Sequence, residues 1–72
     1  MGEVIQIVAY KAGTIVVLRD KRSEYNGKRF VITGVDHRVF MHESTPYYDL
    51  QKVDDNSIEL KHVIYRFVER ED

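Results

Sequence analysis

The chain has 72 residues, no cysteine, 43% hydrophobic and 32% charged residues, and a net charge of −1. This composition excludes a disulfide framework and a thiolate zinc site, and it argues against disorder, which needs low hydrophobicity with high net charge. A domain this small buries only roughly 60% of the surface its unfolded chain exposes, so one thin core is expected and catalytic clefts are not.

The first residues carry Glu3 and no basic leader, and no apolar run approaches a membrane span, so a cytoplasmic protein without membrane contact is expected. Residues 1–40 sum to +3 and residues 41–72 to −4, an asymmetry that can mark a face for an anionic partner. No repeat, linker or low-complexity tract divides the chain, and residues 1–72 read as one domain.

The run V-I-Q-I-V-A-Y, Val4 to Tyr10, is rich in β-branched residues and reads as an N-terminal strand within residues 1–10. Thr14 to Arg19, T-I-V-V-L-R, follows Gly13 and is too short for a helix, so it reads as a strand. Lys28 to Val35 alternates with period two. Phe30 and Ile32 fall on one face and Arg29, Val31, Thr33 and Val35 on the other.

Between these strands lies a polar loop ending in Asn26-Gly27, a pair suited to the positive φ of tight turns. Asp36-His37 is expected to turn the chain into Arg38 to Met41. After the polar H-E-S-T-P stretch an extended pattern resumes at Tyr47 to Gln51, and Pro46 is assigned to an edge or a bulge. Asp54-Asp55-Asn56-Ser57 reads as a turn, Ile58 to Leu60 as a short strand, residues 61–63 as one turn of 3₁₀ helix, and Ile64 to Glu69 as the last strand. A helix over residues 57–69 would place Leu60, Val63, Ile64 and Phe67 on one stripe. The aromatic and β-branched content of that segment favours strand.

The order G-x-x-V-x-L at Gly13, Val16 and Leu18, then Y-x-G-x-x-F-x-I-x-G from Tyr25 to Gly34, then Tyr48 to Leu50, resembles small SH3-like barrels of bacteria and their phages, KOW-like and Tudor-like variants included. The resemblance covers residues 11–69 and implies an all-β barrel of five or six antiparallel strands, with Val16, Leu18, Phe30, Ile32, Leu50, Ile58 and Phe67 inward. It also implies a small bacterial or phage-type accessory protein. If Val16, Leu18, Phe30 and Ile32 point inward, Ile15, Val17, Val31 and Val35 form an outer aliphatic patch, which the N-terminal strand is expected to cover, with a second copy or a bound partner as the alternatives.

The histidines 37, 42 and 62 have no metal-ligand spacing, Ser44 has no nucleophile elbow, and Asp54-Asp55 are what a turn demands; no catalytic, cofactor or metal site is expected. Two candidate surfaces remain. Arg19, Lys21, Arg22, Lys28 and Arg29 surround Tyr25 in a loop of +3, the combination of cations and an aromatic that single-stranded nucleic acid requires. Tyr47, beside Pro46, offers an aromatic surface of the kind SH3-type barrels present to peptides. The leading reading is a non-enzymatic protein-interaction module, monomer or homodimer; a nucleic-acid-binding KOW-like barrel using loop 19–29 is the alternative.

Overall fold

A computed structural model describes residues 5–71, with side chains from residue 7 onward. Its elements are β1 (Ile5–Gln6), β2 (Ile15–Leu18), β3 (Arg29–Phe40), β4 (Glu43–Lys52), β5 (Asp55–Ile64), a 3₁₀ turn (Tyr65–Phe67) and β6 (Val68–Arg70). All strands join one sheet in the order β1-β4-β3-β2-β6, with β5 also on β4. β1 runs parallel to β4; every other pairing is antiparallel.

The fold is therefore all-β, with the strand number expected. β2, β3, β4 and β5 form a meander, and the 3₁₀ turn returns the chain so that β6 lies along the free edge of β2. Closure is where the structure departs from a barrel. β5 and β6 exchange no ladder pairs among the described residues. The gap is spanned instead by the turn itself, whose Phe67 carbonyl accepts the Arg19 N–H at 2.7 Å.

Period-two burial on β2, β3 and β4 builds the core: Val16, Leu18, Phe30, Ile32, Tyr48, Leu50 and Val68 are buried together. Ile58 and Phe67 pack against this cluster from β5 and the 3₁₀ turn but stay partly exposed. That turn falls at residues 65–67 rather than 61–63, where β5 carries a bulge at Lys61-His62 and then continues as strand through Ile64. β5 likewise starts at Asp55, and the reversal before it is Val53-Asp54.

The larger correction lies between β3 and β4. Asp36-His37 does not turn. β3 runs on to Phe40, and the chain reverses at Met41-His42, a two-residue loop with φ of 50° and 69°. Both residues occupy the left-handed region that the primed hairpin turns require, without the Asn or Gly that usually supplies it. The resulting hairpin projects past the core and stretches the molecule to 45 × 24 × 23 Å.

One residue of β4 organises this projection. Register slips between Ile32 and Gly34 on β3, and between Tyr48 and Leu50 where β4 meets β5, so Asp49 faces a bulge on each neighbouring strand. Its Oδ1 accepts the His62 N–H at 3.2 Å, at a residue with φ of 54°, and its carbonyl accepts the Thr33 hydroxyl at 3.2 Å. The extra residue on β3 reverses the alternation beyond it. Val35, His37 and Val39 pair with Tyr48, Pro46 and Ser44 and share their inner face, whereas period two alone had placed Val35 outside.

The N-terminal segment pairs as an added strand, but not over the outer patch expected for it. β1 pairs with Glu43 and Ser44, and Ala9 and Tyr10 pack against the core. The Tyr10 ring stacks on Tyr48 with centroids 6.2 Å apart, and its N–H donates to the Tyr48 hydroxyl at 3.0 Å. The segment thus crosses the inner face; Val4 lies outside the described residues. Pro46 is buried inside β4, at a stretch of its edge left between the β1 pairs and the β5 pairs, where no ladder bond is lost to the missing N–H.

Candidate interaction surface

The loop 19–29 folds on itself. The Asn26 side-chain oxygen accepts the Asp20 N–H at 2.9 Å, Ser23 Oγ accepts the Tyr25 N–H at 3.0 Å, and Gly27, with φ of 84°, donates to the Leu18 carbonyl at 2.7 Å. These bonds give a short charged loop a defined shape without a core of its own. They also turn Tyr25 inward. Its ring meets Phe30 edge-on, with centroids 6.2 Å apart, and it packs against the core instead of standing free as a stacking platform.

The cations of this loop divide in two. Arg19 Nε lies 3.4 Å from Glu69, and Arg29 Nε 2.9 Å from Glu71. Since β2 lies between β3 and β6, the Arg29–Glu71 pair passes over the outer side of β2, above the aliphatic row of Ile15 and Val17. Long charged side chains can cover apolar surface with their stems, and Ile15, Val17 and Val31 are all partly buried. Lys21, Arg22 and Lys28 remain exposed.

Tyr47 belongs elsewhere. It sits on the outer face of the hairpin with Arg38 and His62, five positions along β4 from the Lys52–Phe30 rung, or about 17 Å at strand rise. The seven sequence-selected residues therefore form no single surface. Arg19, Lys21, Arg22, Lys28 and Arg29 share one end with a half-buried Tyr25, and Tyr47 stands toward the other.

Sequence reasoning missed the strongest surface feature, the tip of the β3–β4 hairpin. Val39, Phe40 and Met41 are 64%, 75% and 79% exposed, and Val8, on the strap that crosses the inner face, is 91% exposed. Consecutive exposed apolar side chains at the end of a projecting ribbon are a costly arrangement in water and commonly mark an interface. The signal in the sequence was V-F-M, an apolar run out of phase with the core pattern; the expected turn at Asp36-His37 hid it.

The ionisable groups around the core end are quieter. Burial raises the Tyr48 phenol above its ordinary value; the Tyr10 N–H it accepts opposes that shift, and the Tyr10 phenol beside it adds to it. Asp54, hydrogen-bonded by Lys52, and Asp55, hydrogen-bonded by the Ser57 hydroxyl and N–H, are held below the usual carboxylate range. Among the described residues no three His, Asp or Glu side chains gather as a metal site, and no helix is long and apolar enough to cross a membrane. Comparison with protein-family models, curated proteins and solved structures gives no match.

Proposed function

We propose that this protein is a non-enzymatic interaction module, working in the cytoplasm as a small bacterial or phage-type accessory protein, and that it binds another protein through the β3–β4 hairpin. The supporting observation is the exposure of Val39, Phe40 and Met41 at the tip of a ribbon held out from the core by the two bulges at Asp49. Exposed aromatic and methionine side chains are enriched where proteins meet. The pairing of Arg19 and Arg29 with acids, together with the inward turn of Tyr25, favours this reading over nucleic acid at loop 19–29.

The test is affinity capture from a bacterial lysate, with and without nuclease, using the wild type and a Phe40→Asp/Met41→Ser variant. Specific, nuclease-resistant capture that the variant loses is the expected result. Capture that nuclease abolishes, and that survives the hairpin variant but not reversal of Lys21, Arg22 and Lys28, would assign the protein to nucleic acid instead.

A further inference from the structure

The hairpin carries an open strand edge. β2 pairs with β3 only over Arg29–Val31, and the last backbone bonds on that side join Ile32 to Gly13 and Thr14. From Gly34 to Phe40 that edge has no backbone partner among the described residues. An unpaired edge is a template for another strand, and natural edges are usually blunted by proline, a bulge, charged side chains or a covering element. The outer edge of β5 has such a device, the bulge at Lys61-His62 opposite Asp49. The segment Gly34–Phe40 has no proline and no bulge, its register with β4 is unbroken, and its two charges, Asp36 and Arg38, are of opposite sign, so they repel a foreign strand less than a row of one sign would and match their own reverse.

Read outward from His37, the segment is complementary to its own reverse. Asp36 and Arg38 stand one step to either side, Val35 and Val39 two steps, Gly34 and Phe40 three. Antiparallel pairing of two such edges about a two-fold axis through His37 sets Asp36 opposite Arg38, Val35 opposite Val39, and Gly34 opposite Phe40, each twice. We infer that this edge pairs with the same edge of a second copy of the chain; the inference rests on the hairpin being the interaction element and names its partner.

Three features of the structure meet in that register. Asp36 and Arg38 are both exposed on the outer face and already lie 3.3 Å apart within one strand, so pairing extends an ion pair into a four-charge row with no like charges directly opposed. Val35 and Val39 lie on the inner face and meet each other across the axis, which withdraws both from water. Phe40, exposed at the tip, lands opposite Gly34, which has no side chain of its own to meet the ring; the Asp49 carboxylate, 3.2 Å from where a Cβ would stand, borders that place. The limits agree as well: the open edge begins just past Ile32 and ends at the Met41-His42 turn, so its midpoint is His37, the same residue about which the charges mirror. A shared surface patch on both copies is what a closed two-fold dimer requires.

The experiment is sedimentation of the full chain, with charge reversals at exposed positions. The wild type is expected to sediment as a dimer in reversible, concentration-dependent equilibrium. Arg38→Asp alone sets acids against acids and Asp36→Arg alone sets cations against cations. Each should weaken self-association by more than about tenfold while leaving the melt of the dilute monomer unchanged. Mixing the two variants restores opposite charges at every position, and the mixture should dimerise although neither component does. In a chain without cysteine, His37→Cys should oxidise to a covalent dimer, since facing residues at the axis lie about 4.5–5.5 Å apart, within disulfide reach. Ser57→Cys, on the β5 edge, should not. A wild type that stays monomeric at millimolar concentration, or an Arg38→Asp variant that dimerises like wild type, overturns the self-pairing. If the hairpin tip still captures a different protein in that event, the interaction module stands and only its partner changes; if it captures nothing, both readings fall.

Discussion

The two ends of this molecule share strands β3 and β4 yet obey different rules. At the core end every inner side chain of β3 is buried: Phe30 and Ile32 face Tyr48, Leu50 and Val68. Past the bulge the inner positions of the same strand, Val35, His37 and Val39, are exposed, although Pro46 and Ser44 on β4 beside them are buried, where β1 pairs at Glu43 and Ser44. The core end is held by burial. The projecting end is held by register, a strap and a strained turn. Such a division teaches that the hairpin is not an extension of the core but a limb fixed to it, with its apolar residues left for contact.

The comparison breaks most sharply at paired phenylalanines. Phe30→Ala should cost about 3–5 kcal/mol, most of the stability of a domain this size, and leave the chain largely unfolded by thermal melting. Phe40→Ala should leave the melting temperature of the monomer where it was. Equal losses at both would show that the tip is part of the core.

Deleting residues 1–10 removes the strap, its pairing to Glu43 and Ser44 and the Tyr10 ring over Tyr48. A loss of about 2–4 kcal/mol in denaturant unfolding is expected, with aggregation from the uncovered face. A truncated chain as stable as the whole would mean that the strap holds nothing.

Replacing Met41-His42 by Asn-Gly relieves two residues from the left-handed region and should stabilise the chain by about 1–2 kcal/mol. If the tip is a contact, the same change weakens binding, so stability and capture should move in opposite directions.

The smallest effect is at the joint between limb and core. Tyr48→Phe leaves the Tyr10 N–H without its acceptor, at a cost of about 1 kcal/mol at neutral pH. Tyr48 also titrates higher in the folded chain than an ordinary tyrosine. Its contribution is therefore fully present below about pH 10, the ordinary value, and is lost as pH rises through the raised folded one. Wild-type stability should fall on that alkaline limb and the Tyr48→Phe curve should be flatter there; parallel curves would remove Tyr48 as the cause.

Much of the core end was legible because period two suffices where a strand is regular: Phe30 and Ile32 share a buried face as the alternation required, and Val16, Leu18 and Leu50 are buried as the resemblance implied. Asn26-Gly27 marked its turn because Gly27 does need positive φ. The limb was illegible for two reasons. Its turn uses Met and His, residues that carry no turn signal, while Asp36-His37, which resembles a turn, lies mid-strand. Its bulge changes the phase of the pattern, and a one-residue slip moves every later side chain to the other face. For the same reason the candidate site was only half found. Charge and aromatic content pointed to Arg19–Arg29 and Tyr47, but composition does not show that Arg19 and Arg29 are paired with Glu69 and Glu71, residues remote in sequence.

The return of β6 to β2 has a consequence in time. Val16 pairs with Arg70, Val17 with Glu69 and Leu18 with Val68, joining the beginning of the meander to its end, whereas the β3–β4 ladder zips from a two-residue loop. Local hairpins form within microseconds, while contacts distant in sequence wait on the closure of a long loop. β6 is a three-residue strand with only Val68 buried. Its backbone amides should exchange with solvent hydrogen by openings far smaller than global unfolding, well before those of Phe30 or Leu50. Order in this chain would then spread from the ribbon toward the termini, and be lost in the reverse direction.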